Sequence, residues 1–275
     1  MATKKKEERL KTGISGFDNL VQGGLISDSI NLIMGNAGAG KTTFLLQFLY
    51  EGAVNQNQKG LFVSFECDKR YLHRNGISFG MDFDKLEKKG SCKIIKVTPQ
   101  SSIEDLQETL MKIIVENDIR RVCLDPLNVF SLNLPKEESL RKQIYDLLSF
   151  LRGLNVCVLV AGESDEEAGG GHKITPEIKF SKYLSDSVIE LFSSGITGEG
   201  DRAVRITKMR MTDHYRWPVA FKIGKNGIDV QNISKEEKDL LKKEKDEDSE
   251  ELANRILKKG KKPKKASKKK KSDKK

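Results

Sequence analysis

No stretch of this 275-residue chain approaches the ~18 consecutive apolar residues of a membrane-crossing helix, so a helical membrane protein is excluded. The opening Met-Ala-Thr-Lys-Lys-Lys-Glu-Glu-Arg is polar and lacks the apolar centre of a secretory signal. Cysteine is sparse. Cys67, Cys92, Cys123 and Cys157 are scattered and form no Cys-x-x-Cys pair, which argues against a zinc or disulfide framework. Cys123 and Cys157 sit inside apolar runs, as small buried thiols do. A reducing, cytoplasmic setting with no membrane partner is the expectation. There is no internal repeat.

Charge is spread unevenly. Residues 235–275 hold 18 basic and 10 acidic side chains, so their net of +8 is most of the chain's +10. From Gly260 onward the chain is almost pure lysine and has no apolar residue larger than Ala266, apart from Pro263. Such a segment has nothing with which to bury a core and is expected to be disordered. Leu240, Leu241, Leu252, Ile256 and Leu257 punctuate the charges before it, the pattern of a weak helix. The expected organisation is a polar segment 1–9, a globular domain 10–233, a charged extension 234–257 and a lysine-rich tail 258–275.

Within the domain, apolar runs alternate with amphipathic stretches. Strands are expected at Ser29–Met34, Gly60–Phe65, Lys93–Val97, Arg121–Leu124 and Val156–Ala161. Helices are expected at Thr42–Asn55, Lys69–Ser78, Ile103–Asn117 and Leu140–Leu154. Ile103, Leu106, Leu110, Ile113 and Ile114 recur at helical spacing, as do Leu140, Ile144, Leu147, Leu148 and Leu151. Continuous apolar strands alternating with such helices predict an α/β fold, a parallel central sheet with helices on both faces. From Val188 strands follow one another without helices: Val188–Phe192, Ala203–Met211, Val219–Ile223 and Gly227–Val230. They predict an antiparallel extension at the C-terminal side of the sheet. His73 and His172 read as surface residues.

The chemistry concentrates in Gly35-Asn-Ala-Gly38-Ala39-Gly40-Lys41-Thr42-Thr43, which fits the phosphate-loop pattern G-x-x-x-x-G-K-[ST] without a mismatch. Glycines let backbone N–H groups turn toward phosphate oxygens. Lys41 is expected to reach the β- and γ-phosphates of ATP, and Thr42 to hold Mg²⁺ through its hydroxyl. An apolar strand precedes the loop and a helix follows, which puts the phosphates at a helix N-terminus. Arg121-Val122-Cys123-Leu124-Asp125 is an apolar strand ending in a carboxylate, which makes Asp125 the second candidate for the metal. Glu66 ends the strand after the phosphate-loop helix. Ligands of open α/β sheets bind beyond the carboxyl ends of strands, so Glu66 is the candidate base for an attacking water.

Several segments, in order along residues 10–231, resemble KaiC-like members of the RecA/RadA superfamily. They are Thr12-Gly-Ile-Ser-Gly-Phe-Asp-Asn-Leu20 with Gly23-Gly24, the phosphate loop with Gln47-Phe-Leu-Tyr-Glu-Gly52, and Gly60-Leu-Phe-Val-Ser-Phe-Glu66. Ser78-Phe-Gly-Met-Asp82 and Lys208-Met-Arg-Met-Thr-Asp-His214 extend the likeness. The resemblance implies a RecA-like P-loop NTPase that assembles as a homo-hexamer or other homo-oligomer, with ATP between subunits. It implies that Gly38 to Thr43 bind phosphate, that Asp125 is the Walker B aspartate and that Glu66 is the first of a glutamate pair activating water. Cys67 stands where the second glutamate is usual. Ser78 matches a serine near the nucleotide. Lys208, Met209, Arg210, Thr212 and His214 match residues that reach the neighbouring subunit's ATP. Lys208, Arg210, Thr212 and His214 are two apart, so on one extended strand they would form a polar comb.

Three functions follow as expectations: a ring-forming regulatory ATPase with an unidentified protein partner, a DNA-repair accessory, and a nucleotide-binding assembly protein with little turnover. The DNA reading rests on Lys258–Lys275, since a polycation attracts nucleic acid nonspecifically. The glycine-bearing loop Ser164–Pro176 carries Asp165, Glu166 and Glu167 and is poorly suited to DNA.

Overall fold

Period-two burial explains why the apolar runs are unbroken. Leu61 and Val63, Val122 and Leu124, Val158 and Val160 face one core, while the intervening Phe62, Cys123 and Leu159 are equally buried on the other face. A sheet covered on both faces leaves no polar side to its strands. The computed structural model describes residues 7–98, 102–133, 137–167, 171–173, 175–193 and 202–233. The expected extension 234–257 and tail 258–275 lie outside the described residues, and those up to Gln231 belong to one compact unit.

In chain order, a ribbon of β1 (Arg9–Leu10) and β2 (Leu25–Ile26) precedes β3 (Ile30–Gly35), α1 (Lys41–Asn55) and β4 (Lys59–Ser64). Then come α2 (Lys69–Ser78), α3 (Phe83–Lys88), β5 (Cys92–Lys96), α4 (Ile103–Asn117) and β6 (Ile119–Asp125). Next are α5 (Val129–Asn133), α6 (Glu137–Arg152), β7 (Cys157–Glu163), a hairpin of β8 (Asp165–Glu167) and β9 (Gly171–Lys173), and α7 (Pro176–Leu184). The described elements end with β10 (Ser187–Ser193), β11 (Arg202–Met209), β12 (Val219–Gly224) and β13 (Gly227–Val230).

Nine strands form one sheet in the order β13-β12-β11-β10-β3-β7-β6-β4-β5. From β10 to β5 every neighbouring pair is parallel. β11, β12 and β13 pair antiparallel at the other edge. The α/β fold is therefore as expected, with one correction. The antiparallel extension begins at β11, because β10 lies parallel to β3 and is preceded by α7.

The two faces are covered differently. α4 and α6 pack on one, through Leu106, Leu110, Ile144, Leu147 and Leu148. α1 covers the other, where the Cys123 thiol reaches the Leu45 carbonyl. Arg121 is fully buried beneath α1. Its guanidinium donates to Gln58 Oε1 and to the Lys11 and Phe48 carbonyls, and stacks 4.4 Å from the Phe48 ring. This explains Gly52 inside a helix, where glycine costs ~0.5–1 kcal/mol: a Cβ there would lie 2.5 Å from Arg121. His73 corrects a smaller expectation. It is half-buried and pairs with Glu87 at 2.7 Å, whereas the His172 side chain lies outside the described residues.

Candidate active site

The phosphate loop links the sheet's central strand to α1. Gly40 caps α1 without any side-chain hydrogen bond, so the first N–H groups of the helix open into the loop. Two of the glycines are obligatory for different reasons. A Cβ on Gly35 would meet the Leu191 carbonyl of β10 at 2.2 Å. Gly40 has φ 101°, and a Cβ there would press on Ile223 at 2.9 Å. Gly38, also at positive φ, borders open space. Ala39 is buried, its N–H bonded to Asn36 O, and Thr43 is buried at the start of α1.

Lys41 Nζ donates to the Gly35 and Asn36 carbonyls, each at 2.9 Å. Burial pushes its pKa down, opposed by the charges of Glu163, Asp125 and Glu66. Thr42 Oγ1 donates to Asp125 Oδ2 at 2.7 Å, across 83 residues of sequence. Burial pushes the Asp125 carboxyl up, and the Thr42 hydrogen bond and Lys41 oppose the shift. The loop, Lys41, Thr42 and Asp125 are thus brought together at the carboxyl edge of the sheet. Glu66 follows at the same edge, two residues beyond the pair Ser64–Asp125, and is exposed. Cys67 beside it donates its N–H to Ser64 Oγ. Burial, then the charge of Glu66, raises the Cys67 thiol.

Among the described residues no three carboxylate, imidazole or thiol groups converge as a protein-built metal cage. A hydroxyl and a carboxylate 2.7 Å apart are hard oxygen donors. They fit Mg²⁺, which takes one or two protein oxygens and completes its shell with water and phosphate.

The other expected residues lie elsewhere. Ser78 ends α2, nine residues and ~13 Å along the helix from Lys69, and its hydroxyl donates to Asn75 O. Lys208 and Arg210 sit at the opposite edge of the sheet from the phosphate loop. Lys208 Nζ donates to the carbonyls of Lys182, Tyr183 and Ser185 at the end of α7. Arg210 pairs with Asp186, whose carboxylate also accepts the Ile30 N–H and Arg152. Ile30 and Gly35 are the two ends of β3, about 16 Å apart at the strand rise.

The expected comb is corrected. β11 stops at Met209; Arg210 and Met211 form a turn, with Met211 at φ 54°, and the chain continues without strand geometry. The cause is local. Arg9 donates to Thr212 Oγ1 and Met211 O, and Tyr215 N–H to Leu20 O, which fasten this segment to the N-terminal ribbon region. Thr212 Oγ1 itself donates to Arg210 O, and His214 Nδ1 lies 3.3 Å from Thr212 O. Lys208 and Arg210 stay side by side; Thr212 and His214 leave their row.

Sequence reasoning missed Glu163 and Asn128. Glu163 ends β7, the strand between β3 and β6, and is registered with Gly35. The Asn128 carboxamide bonds the Glu163 backbone at both N–H and C=O. No local motif announces either residue. The loop Ser164–Pro176 holds the β8–β9 hairpin.

A phosphate loop on the central strand of a mostly parallel sheet, its threonine bonded to the aspartate of a strand two places away, defines a P-loop ATPase fold of the RecA type. The family model described as the KaiC ATPase matches residues 10–235. The chain is 29% identical over 232 residues to a circadian clock oscillator protein KaiC of Prochlorococcus marinus strain MIT 9313. It is 32% identical over 240 residues to a circadian clock protein KaiC3 of Synechocystis sp.. These alignments cover 81% and 82% of the chain but 46% of each relative, so the chain spans about half of those proteins. The crystal structure of the KaiC-like protein PH0186 from the archaeon Pyrococcus horikoshii OT3 superposes with a TM-score of 0.72 at 31% identity. That match covers 82% of the chain and all of the archaeal one. The chain belongs to the KaiC ATPase family.

Proposed function

We propose that this protein hydrolyses ATP, with sites shared between identical subunits. The observation that carries the reading is the Thr42–Asp125 hydrogen bond of 2.7 Å at the mouth of the phosphate loop. It joins the two side chains that a P-loop ATPase uses together, and it comes from residues 83 apart. Bound Mg²⁺, held by Thr42 and Asp125, would neutralise charge on the β- and γ-phosphates.

The chain's own groups divide the work. N–H groups of Gly38 to Thr43 bind phosphate oxygens, and Lys41 moves from its loop carbonyls to the γ-phosphate. Glu66 takes the proton of the attacking water. Lys208 and Arg210 lie a strand length from their own phosphate loop, so they serve a second copy's ATP, as an arginine finger does in trans. Met209, Thr212 and His214 accompany them at that interface. Cys67 in place of a second carboxylate leaves Glu66 alone as base, so turnover is slow. A homo-hexamer or another closed homo-oligomer satisfies such a head-to-tail contact. A regulatory role through a partner protein accords with relatives named as clock proteins. The DNA-accessory reading has no observation of its own in the described residues, and the low-turnover reading rests on Cys67 alone.

Replacing Glu66 by Gln tests the chemistry. The variant should bind ATP with Mg²⁺ as the unsubstituted chain does and lose turnover. Hydrolysis at the unsubstituted rate would remove Glu66 as the base.

A further inference from the structure

The end of β7 is the piece of the site that the motifs leave unexplained. β7 lies between the phosphate-loop strand and the Asp125 strand. Its last residue, Glu163, is registered with Gly35, and the following N–H, of Ser164, donates to Gly35 O at 3.1 Å. Gly35 O also receives the Lys41 ammonium at 2.9 Å. Whatever fixes Glu163 therefore fixes the entry to the phosphate loop and the parking place of its lysine. The Glu163 charge is also the largest of the three that favour the Lys41 ammonium.

The β6–β7 ladder cannot provide that fixing. Its last registered pair is Leu124–Val160, and the backbone beyond contributes one more bond, Leu127 N–H to Ala161 O. From there a side chain continues the ladder. Asn128 Oδ1 accepts the Glu163 N–H at 2.6 Å, and Asn128 Nδ2 donates to Glu163 O at 2.9 Å. An amide is the side-chain group that can mimic a strand's donor and acceptor at once. The same Nδ2 donates to Glu177 Oε1 at 2.9 Å, which fixes which way the carboxamide faces.

Glu177 is 2% exposed, and its Oε2 has no hydrogen-bond partner among the described residues. Burying a carboxylate with one oxygen unsatisfied is costly, and glutamine would fill the same space. The position is built for this contact. Glu177 is the second residue of α7, and the next, Ile178, lies so close to β7 that a Cβ on Gly162 would sit 2.0 Å from its Cδ1.

We propose that Asn128 and Glu177 are a positioning pair: they hold the end of β7, with Glu163, against Gly35 and so set the geometry of the phosphate loop. The pair touches no reacting atom. The inference rests on the proposed function, in which the loop binds ATP phosphates. A misplacement of about 1 Å at such a site costs on the order of 100-fold in rate.

A polarity swap tests it. Asn128→Asp puts two carboxylates where the 2.9 Å hydrogen bond was and should lower kcat/KM for ATP by at least about tenfold. Adding Glu177→Gln returns a donor to the pair and keeps an acceptor for the Glu163 N–H, while the Glu163 carbonyl stays without its donor. The double variant should therefore regain part of the loss, at least about threefold in kcat/KM over the single variant. The rise in melting temperature caused by Mg²⁺ and ATP is read in parallel, because it needs phosphate binding and no hydrolysis. If Asn128→Asp does not fold, Asn128→Ala replaces it and should weaken ATP binding by at least about tenfold. A foldable Asn128→Asp with undiminished kcat/KM, a double variant no better than the single, or Asn128→Ala with unaltered ATP affinity would overturn the proposal. Absence of both turnover and ATP-induced stabilisation in the unsubstituted chain would instead sink the proposed function and this inference with it.

Discussion

At the scale of the residue, burial decides chemistry more than identity does. Cys157 lies in β7 with Ser29 and Asn31 beside its sulfur, and burial pushes its thiol from 9.0 up to about 12. Below pH 9 the thiol is protonated in folded and unfolded chains alike and stability is unaffected. Between pH 9 and 12 the unfolded chain loses that proton while the folded chain keeps it, so stability falls as pH rises. Urea unfolding of Cys157→Ala across this window should be less steep in pH by up to ~1.4 kcal/mol per unit. An unchanged slope would mean that the thiol ionises as readily inside as outside. Residue-scale reading of the sequence singles out Lys41, Thr42, Asp125 and Glu66, because each belongs to a contiguous pattern whose spacing is itself the signal. Glu163 and Asn128 escaped it, because their places depend on β7 being inserted between β3 and β6, a pairing that no short window contains.

At the scale of the element, helices and strands long enough to repeat their period were legible, and short or capped ones were not. α3 has six residues, too few for a helical stripe, and α7 follows a glycine-rich loop, with only Thr175-Pro176 as a helix-start signal. The docking of the terminal hairpin was invisible for another reason. It is made by one polar side chain inside an apolar helix: Gln47 accepts the Ile228 N–H at 2.7 Å and donates to Ile228 O at 3.3 Å. A Cβ on Gly227 would fall 2.6 Å from the Gln47 amide, so the β12–β13 turn closes tightly upon it. Through Ile223 the same hairpin leans on Gly40 of the phosphate loop. Gln47→Ala strands a buried donor and acceptor, and should destabilise the protein by ~1–3 kcal/mol. Hydrogen exchange at Ile228 in β13 should accelerate more than at Leu45, which shares α1 with Gln47. Equal protection at both amides in the variant would show that Gln47 does not hold the hairpin.

At the scale of the whole molecule, two charge arrangements bear on the proposed partners. Residues 258–275 carry 12 lysines against Asp273 alone, and such a polycation binds nucleic acid with an affinity that falls steeply as salt rises. Deleting these residues should abolish most nucleic-acid binding and leave basal ATPase activity intact. Binding that survives the deletion at near-physiological salt would place a nucleic-acid site in the folded domain. The second arrangement concerns the central claim. The phosphate loop occupies one edge of the sheet, and Lys208 and Arg210 the other, separated by the length of β3. On the proposed function neither half is a complete site, and two copies would meet head to tail. Mixing Lys41→Ala chains with Arg210→Ala chains, each inactive alone, tests this most directly. Interfaces that join the intact loop of one to the intact Arg210 of the other should restore part of the ATPase activity. Mixed oligomers, seen by mass spectrometry yet wholly inactive, would contradict the account, as would Arg210→Ala chains that hydrolyse ATP at the full rate.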